Sequence, residues 1–222
     1  MIGLIRYSTD RGRGQGQTEM VCGVSVLTCV LYENGKGEER RLRKLEQLLL
    51  RSSVSRVILP ESFPHRTLLE RLRPVDPMPL YRAAADLLVL KLLDSKGVPP
   101  SEAAAVLAGP RLCPELCAAA HLLCPTVRRL RIDVPGEEGA DFSRDLRRKF
   151  GIAMLPPTAD ADVTAVFGPT CGAADLKLYG SSQIRMSANG IEPPEGIEQP
   201  VLQLLWERGR IRREDLRVIN IP

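Results

Sequence analysis

The chain has 222 residues, 44% of them hydrophobic and 26% charged, the balance of a globular protein able to bury a substantial core. Aromatic residues make up only 4%, so aliphatic side chains must fill that core, and platforms that stack single-stranded nucleic acid are disfavoured. The net charge of +4, from 31 basic and 27 acidic residues, falls well short of a dedicated nucleic-acid binder.

The first residues lack the long apolar core of a signal peptide, and no run approaches the ~20 apolar residues of a membrane span. Most of the six cysteines lie in apolar patterns, where a free thiol packs as a small hydrophobe. A soluble, cytoplasmic protein with reduced thiols is expected.

Residues 2–7 read as a strand, followed by a glycine loop over 10–16. The run 20–32, MVCGVSVLTCVLY, reads as one long strand antiparallel to the first. After a turn at 34–37, Leu42, Leu45, Leu48 and Leu49 mark one face of a helix over 38–50, and RVIL at 56–59 is a short buried strand. Strand, helix and strand at this spacing make a βαβ unit. A short helix over 64–72 ends at Pro74.

Three prolines within 73–79 mark a linker, because proline cannot continue a helix. A long helix follows over 80–96. Then come a wholly apolar strand at 103–108, a helix at 113–123, an alternating strand at 127–134 and a helix at 141–150. Short strands are expected at 152–155, 163–167 and 176–179. Residues 181–199 form an irregular excursion, and a helix at 200–208 precedes a last strand at 216–221. The expectation is an α/β protein with a mixed, mostly parallel sheet and helices on both faces. It divides into an N-terminal lobe, 1–76, with an antiparallel strand pair plus a βαβ unit, and a second domain, 77–222.

The stretch 103–133 carries the leading candidate site. Gly109 closes a strand, and a helix opens shortly after it, so free N–H groups and the positive end of the helix dipole could face an anion. Arg111 could grip a phosphate with two hydrogen bonds. Asp133 lies 24 positions beyond Gly109 (133 − 109), near the ~20-residue offset of a ribose-binding acid. Residues 103–167 thus resemble the dinucleotide-binding, Rossmann-like architecture at the level of fold. The G-x-G-x-x-G fingerprint is absent: Gly109 is followed by Pro110, Arg111, Leu112, Cys113 and Pro114.

Cys113, Cys117, His121 and Cys124 share a helix face, but the first and last are roughly 16 Å apart at the helical rise. They cannot hold one metal ion, and no metal site is expected. Cys171, in a glycine-flanked loop, is a weak candidate nucleophile without a readable partner among the two histidines, His65 and His121. Arg11 to Gly16 resembles a phosphate cradle in composition only, and Glu207 to Arg213 reads as a mixed-charge surface loop.

These features favour a degenerate Rossmann-like protein that binds a nucleotide, another small anionic ligand or a protein partner rather than catalysing. No cofactor is required by the sequence. One alternative is a nucleotide-cofactor oxidoreductase or transferase. Another is an interaction protein, meeting a protein partner or its own copies through the 181–199 excursion and the exposed arginines 129 and 131.

Overall fold

A computed structural model describes residues 1–8, 16–32, 38–61, 63, 69, 71–169, 173–180 and 183–221. Along the first half run β1 (Ile2–Ser8), β2 (Gln17–Val21), β3 (Val24–Tyr32), α1 (Glu38–Arg51), β4 (Arg56–Ile58), β5 (Arg73–Pro74), α2 (Met78–Ala83) and α3 (Ala85–Ser95). There follow β6 (Ala104–Ala108), α4 (Pro114–Leu123), β7 (Arg129–Asp133), α5 (Glu137–Phe150), β8 (Ala153–Met154), β9 (Val163–Val166) and β10 (Leu176–Lys177). The chain ends with β11 (Arg185–Ala188), α6 (Glu198–Glu207), a 3-10 turn at Arg213–Asp215 and β12 (Leu216–Asn220). The fold is α/β, with one mixed and one parallel five-stranded sheet and a separate two-stranded pair.

Two compact units emerge. One comprises Met1–Pro77 and Ser187–Asp215, the other Met78–Met186 and Leu216–Pro222. The first therefore includes a late segment that the sequence alone keeps with the second domain.

In the first unit the strand order is β2-β3-β1-β4-β5. The expected single strand over 20–32 is interrupted at Cys22 and Gly23, both in the left-handed region (φ 48° and 75°). That two-residue turn makes β2 and β3 an antiparallel hairpin. β1 then pairs with β3 in parallel, not antiparallel as the sequence suggests. The hairpin was hidden because a cysteine occupies a position usually held by Asn, Asp or Gly.

β1 also separates β3 from β4, so the predicted βαβ unit spans an intervening parallel strand. α1 buries Leu42 and Leu49 completely against Ile5, Leu27, Cys29, Leu31 and Val57. Each such leucine contributes about 1.5–3 kcal/mol. Alternate strand residues Leu4, Val26 and Ile58 are buried as well. α6 is tied to β4 by a bidentate pair, with Arg56 donating to Glu207 at 2.6 and 2.9 Å. The expected helix over 64–72 lies largely outside the described residues, as do the turn at 34–37 and most of the 10–16 loop.

In the second unit the five strands of the main sheet run parallel, in the order β10-β9-β6-β7-β8. Numbered in chain order within the sheet and read from β8, this is 3-2-1-4-5, the order of the Rossmann-like fold, with its reversal between β6 and β9. α3 packs on α4 and β9, while α5 lies along β7 and β8. The expected long helix at 80–96 is broken at Ala84 into α2 and α3. α2 is fixed by Tyr81 Oη, which donates to the Ile184 carbonyl at 2.9 Å, and by Arg82 Nε, which donates to the Leu178 carbonyl at 2.7 Å.

No helix joins β8 to β9. The connection is a loop whose Leu155, Ala159 and Ala161 pack on Ala104, Val106, Ala108 and Val166. The small alanines of β6 let the loop backbone lie close. Arg131 holds that loop, with Nη1 donating to the carbonyls of Pro156, Pro157 and Ala159 at 2.8, 3.0 and 3.3 Å. The alternation in β7, read as an exposed arginine face, is thus partly covered. Arg131 is a structural anchor.

At the amino ends of β6 and β9, carboxylates replace strand partners. Asp162 Oδ2 accepts from Ala104 N at 2.7 Å, and Asp175 Oδ2 accepts from Thr164 N at 2.8 Å. Lys96 bridges them, donating to Asp175 Oδ1 and the Asp162 carbonyl, both at 2.6 Å. Within the expected irregular stretch 181–199, residues Arg185–Ala188 form β11, which pairs with β12.

Candidate functional site at the carboxyl edge of the parallel sheet

The parallel pairing of β6 with β7 runs to Ala108 opposite Asp133. The next residue, Gly109, donates its N–H to the Asp133 carbonyl at 3.1 Å. That bond places the exposed Asp133, the last residue of β7, directly beside the Gly109 turn. The ribose-acid position inferred from spacing is therefore a strand tip.

Arg111 is exposed one residue beyond Pro110. Neither the Arg111 guanidinium nor the Asp133 carboxylate has a hydrogen-bond or ion-pair partner among the described residues. Asp133 ends β7, and Arg111 lies three residues beyond the end of β6 (111 − 108).

The start of α4 is less hospitable to an anion. Its N-cap is Cys113, in an extended conformation, with Pro114 at the first turn. Pro110 and Pro114 have no N–H to offer. Glu115 adds a carboxylate to that turn, and burial pushes the Cys113 thiol up, opposed by the backbone N–H of Leu116. A negative side chain at this point satisfies the helix dipole internally.

A further feature was not read from the sequence. Phe167 N donates to the Ala108 carbonyl at 2.8 Å, extending the β9 pairing to the end of β6. Gly168 follows, and a Cβ on it would lie 2.8 Å from Pro110 Cδ and 3.1 Å from Cγ. The proline ring therefore sits over the junction of β6 and β9, the switch point where such sheets place their ligands. The glycine after the apolar run at 163–167 was the available signal, but nothing local says that it faces Pro110.

Gly109 itself is buried, and a Cβ there would meet the Arg111 carbonyl and Leu116 Cδ1 at 3.4 Å. Where the dinucleotide fingerprint has its second and third glycines this chain has Arg111 and Pro114, and Pro110 and Pro114 remove two backbone donors from the turn. This seat does not fit a pyrophosphate.

The other sequence candidates disperse. Cys171 and His65 lie outside the described residues. His121 is exposed, with its ring centroid 5.7 Å from Phe142, edge-on, and 5.7 Å from Phe150. Cys124 is buried, and burial pushes its thiol up to about 11. Among the described residues no group of three or more His, Cys, Asp or Glu side chains could hold a metal ion. The basic loop after α6 is spread over separate partners. Glu207 pairs with Arg56, Asp215 Oδ2 accepts from Arg212 N at 2.7 Å, and Arg210 lies against the Cys22–Gly23 turn.

No known protein family matches the chain, and no curated protein sequence matches it. Among solved structures, L-tryptophan dehydrogenase from Nostoc punctiforme is similar over 74% of this chain and 55% of its own, at 14% identity and a TM-score of 0.31. The chain thus matches about half the length of that protein. A likeness at this level says nothing of what the present chain acts on. The Rossmann-like assignment of the second unit rests on its own strand order. Among the described residues no helix is long and apolar enough to cross a membrane.

Proposed function

We propose that the second unit binds a nucleotide at the Gly109 edge without using it as a redox cofactor. The observation that carries this reading is the exposed Asp133 carboxylate beside the Gly109 turn, with the guanidinium of Arg111 available at the same edge. Asp133 accepts hydrogen bonds from ribose hydroxyls, and Arg111 takes a single phosphate in a bidentate contact. The pyrophosphate seat is occupied by proline and opposed by Glu115, which weighs against an oxidoreductase or transferase built on a dinucleotide. The favoured ligand is therefore a nucleoside monophosphate.

Thermal shift of the whole chain with AMP, adenosine and NAD tests this, since a ligand at 100 times its Kd stabilises by about 2.7 kcal/mol. AMP is expected to stabilise, with NAD no better than AMP. Arg111→Ala should abolish the advantage of AMP over adenosine, and Asp133→Asn should weaken both. Absence of any nucleotide response, or a response that neither substitution alters, refutes the proposal.

A second reading, a scaffold that meets a protein partner or another copy of itself, is favoured by the Pro110 ring packed over the strand junction. It predicts no nucleotide response and a stable complex on sizing.

A further inference from the structure

The first unit contains a cavity of about 230 Å³ between α1 and the outer end of β3. It lies along β3 beyond the β2–β3 pairing, which has Gln17 opposite Thr28 as its outermost described pair. Cys29 and Leu31 of β3 and Leu45 and Leu48 of α1 supply apolar walls, and Arg41 and Lys44 stand among the lining residues. On α1 these are pairs three residues apart, which places the two leucines together and the two cations one turn toward the helix start. Gly16 closes another side, since a Cβ there would lie 3.3 Å from Leu48 Cδ2 and 3.6 Å from Cys29 Sγ.

Two properties of the lining point to a ligand. Leu48 remains 43% exposed, so its apolar surface gains from being covered. No acidic side chain stands among the described lining residues, and Lys44 is exposed and has no hydrogen-bond or ion-pair partner among the described residues. Arg41 donates to the Tyr32 carbonyl at 3.4 Å and brings a second positive charge. Aliphatic walls and two cations complement a molecule with a hydrocarbon body and one anionic end. A cavity of about 150 Å³ accepts benzene, so this one takes about eight to ten non-hydrogen atoms.

We infer that this cavity binds a medium-chain aliphatic carboxylate, its tail against Leu45, Leu48 and Cys29 and its carboxylate on Lys44. Binding is non-covalent and independent of the Gly109 edge.

Calorimetric titration of the full chain with octanoate, 1-octanol and inorganic phosphate tests it. Octanoate is expected to bind more tightly than octanol, with no binding of phosphate. Lys44→Gln should weaken octanoate by about two- to five-fold, the range of a solvent-exposed ion pair, and leave octanol unchanged. Leu48→Gln should weaken both, and Arg43→Gln, a neighbouring exposed position outside the cavity lining, should alter neither. Failure of octanoate to bind up to its solubility limit overturns the inference. So does equal affinity for octanol and octanoate, or an equal effect of Arg43→Gln and Lys44→Gln.

Discussion

Substitution of Gly168 by alanine tests how the carboxyl edge is closed. The backbone of Gly168 is not in the left-handed region, so alanine is sterically allowed by conformation alone and would gain about 0.4–1 kcal/mol by restricting the unfolded chain. Against that gain stands the contact of its Cβ with Pro110 Cδ at 2.8 Å and Cγ at 3.1 Å. Both are ring atoms of a rigid side chain, so relief requires the turn backbone to move. Overpacking of this kind costs about 1–3 kcal/mol. The net effect is a destabilisation of about 1–2 kcal/mol, or about 2–8 °C in melting temperature for a chain of this size.

Pro110→Ala removes both offending atoms. In that background the Gly168→Ala cost should vanish, giving a coupling energy of about 1–2 kcal/mol in the double-mutant cycle. Urea unfolding of the four proteins, followed by circular dichroism, reads all of these quantities. A neutral or stabilising Gly168→Ala, or a cost that persists with Pro110→Ala, would show that the ring does not fill the junction. The same Pro110→Ala variant regains a backbone N–H at the turn, so the nucleotide response proposed above should strengthen in it.

Other outcomes follow from particular contacts. A Cβ on Gly139, within α5, would collide with the Val134 carbonyl oxygen, so Gly139→Ala should destabilise despite the higher helix propensity of alanine, by about 1–3 kcal/mol in urea unfolding. Asp175→Ala orphans Thr164 N and one partner of Lys96, a loss of about 1–3 kcal/mol readable in the same assay, while Asp94→Ala, which removes an exposed pair with Lys91, should cost under about 1 kcal/mol. Burial raises the Cys124 thiol from 9.0 to about 11, so the unfolded chain ionises first. Its contribution to stability is complete below pH 9 and is lost as pH rises toward 11, and Cys124→Ala should flatten that decline. Glu207 is held below its ordinary range, chiefly by its hydrogen bond from Arg56. Its contribution is present above the usual carboxylate pKa and is lost on acidification, and Glu207→Gln should remove it, at a cost below about 1 kcal/mol because the pair is a third exposed.

Much of the fold is legible in local pattern. The leucine stripe of α1, the unbroken apolar run of β6 and the Pro-rich break at 73–79 each announce themselves, because burial and backbone restriction act on neighbouring residues. Helix starts are less legible. α5 begins at Glu137, four residues before the apolar face signals it, since Gly136 at φ 85°, two glutamates at the dipole end and the side-chain-free Gly139 packed on Val134 open the helix without an apolar stripe. The Cys22–Gly23 turn shows the opposite failure, in which an unusual turn residue hides a hairpin inside an apolar run.

The sequence by itself determined that a strand, a turn and a helix meet at Gly109, that the glycine fingerprint is missing, and that Arg111 and Asp133 are the charged residues to examine. Only the tertiary structure decided that Asp133 stands at its strand tip beside Gly109, that Pro110 covers the β6–β9 junction at Gly168, and that a late segment packs with the first unit. The physical reason is distance along the chain. Strand register and the meeting of Pro110 with Gly168 join residues 24 to 58 positions apart (133 − 109 and 168 − 110), and no local propensity carries such pairings.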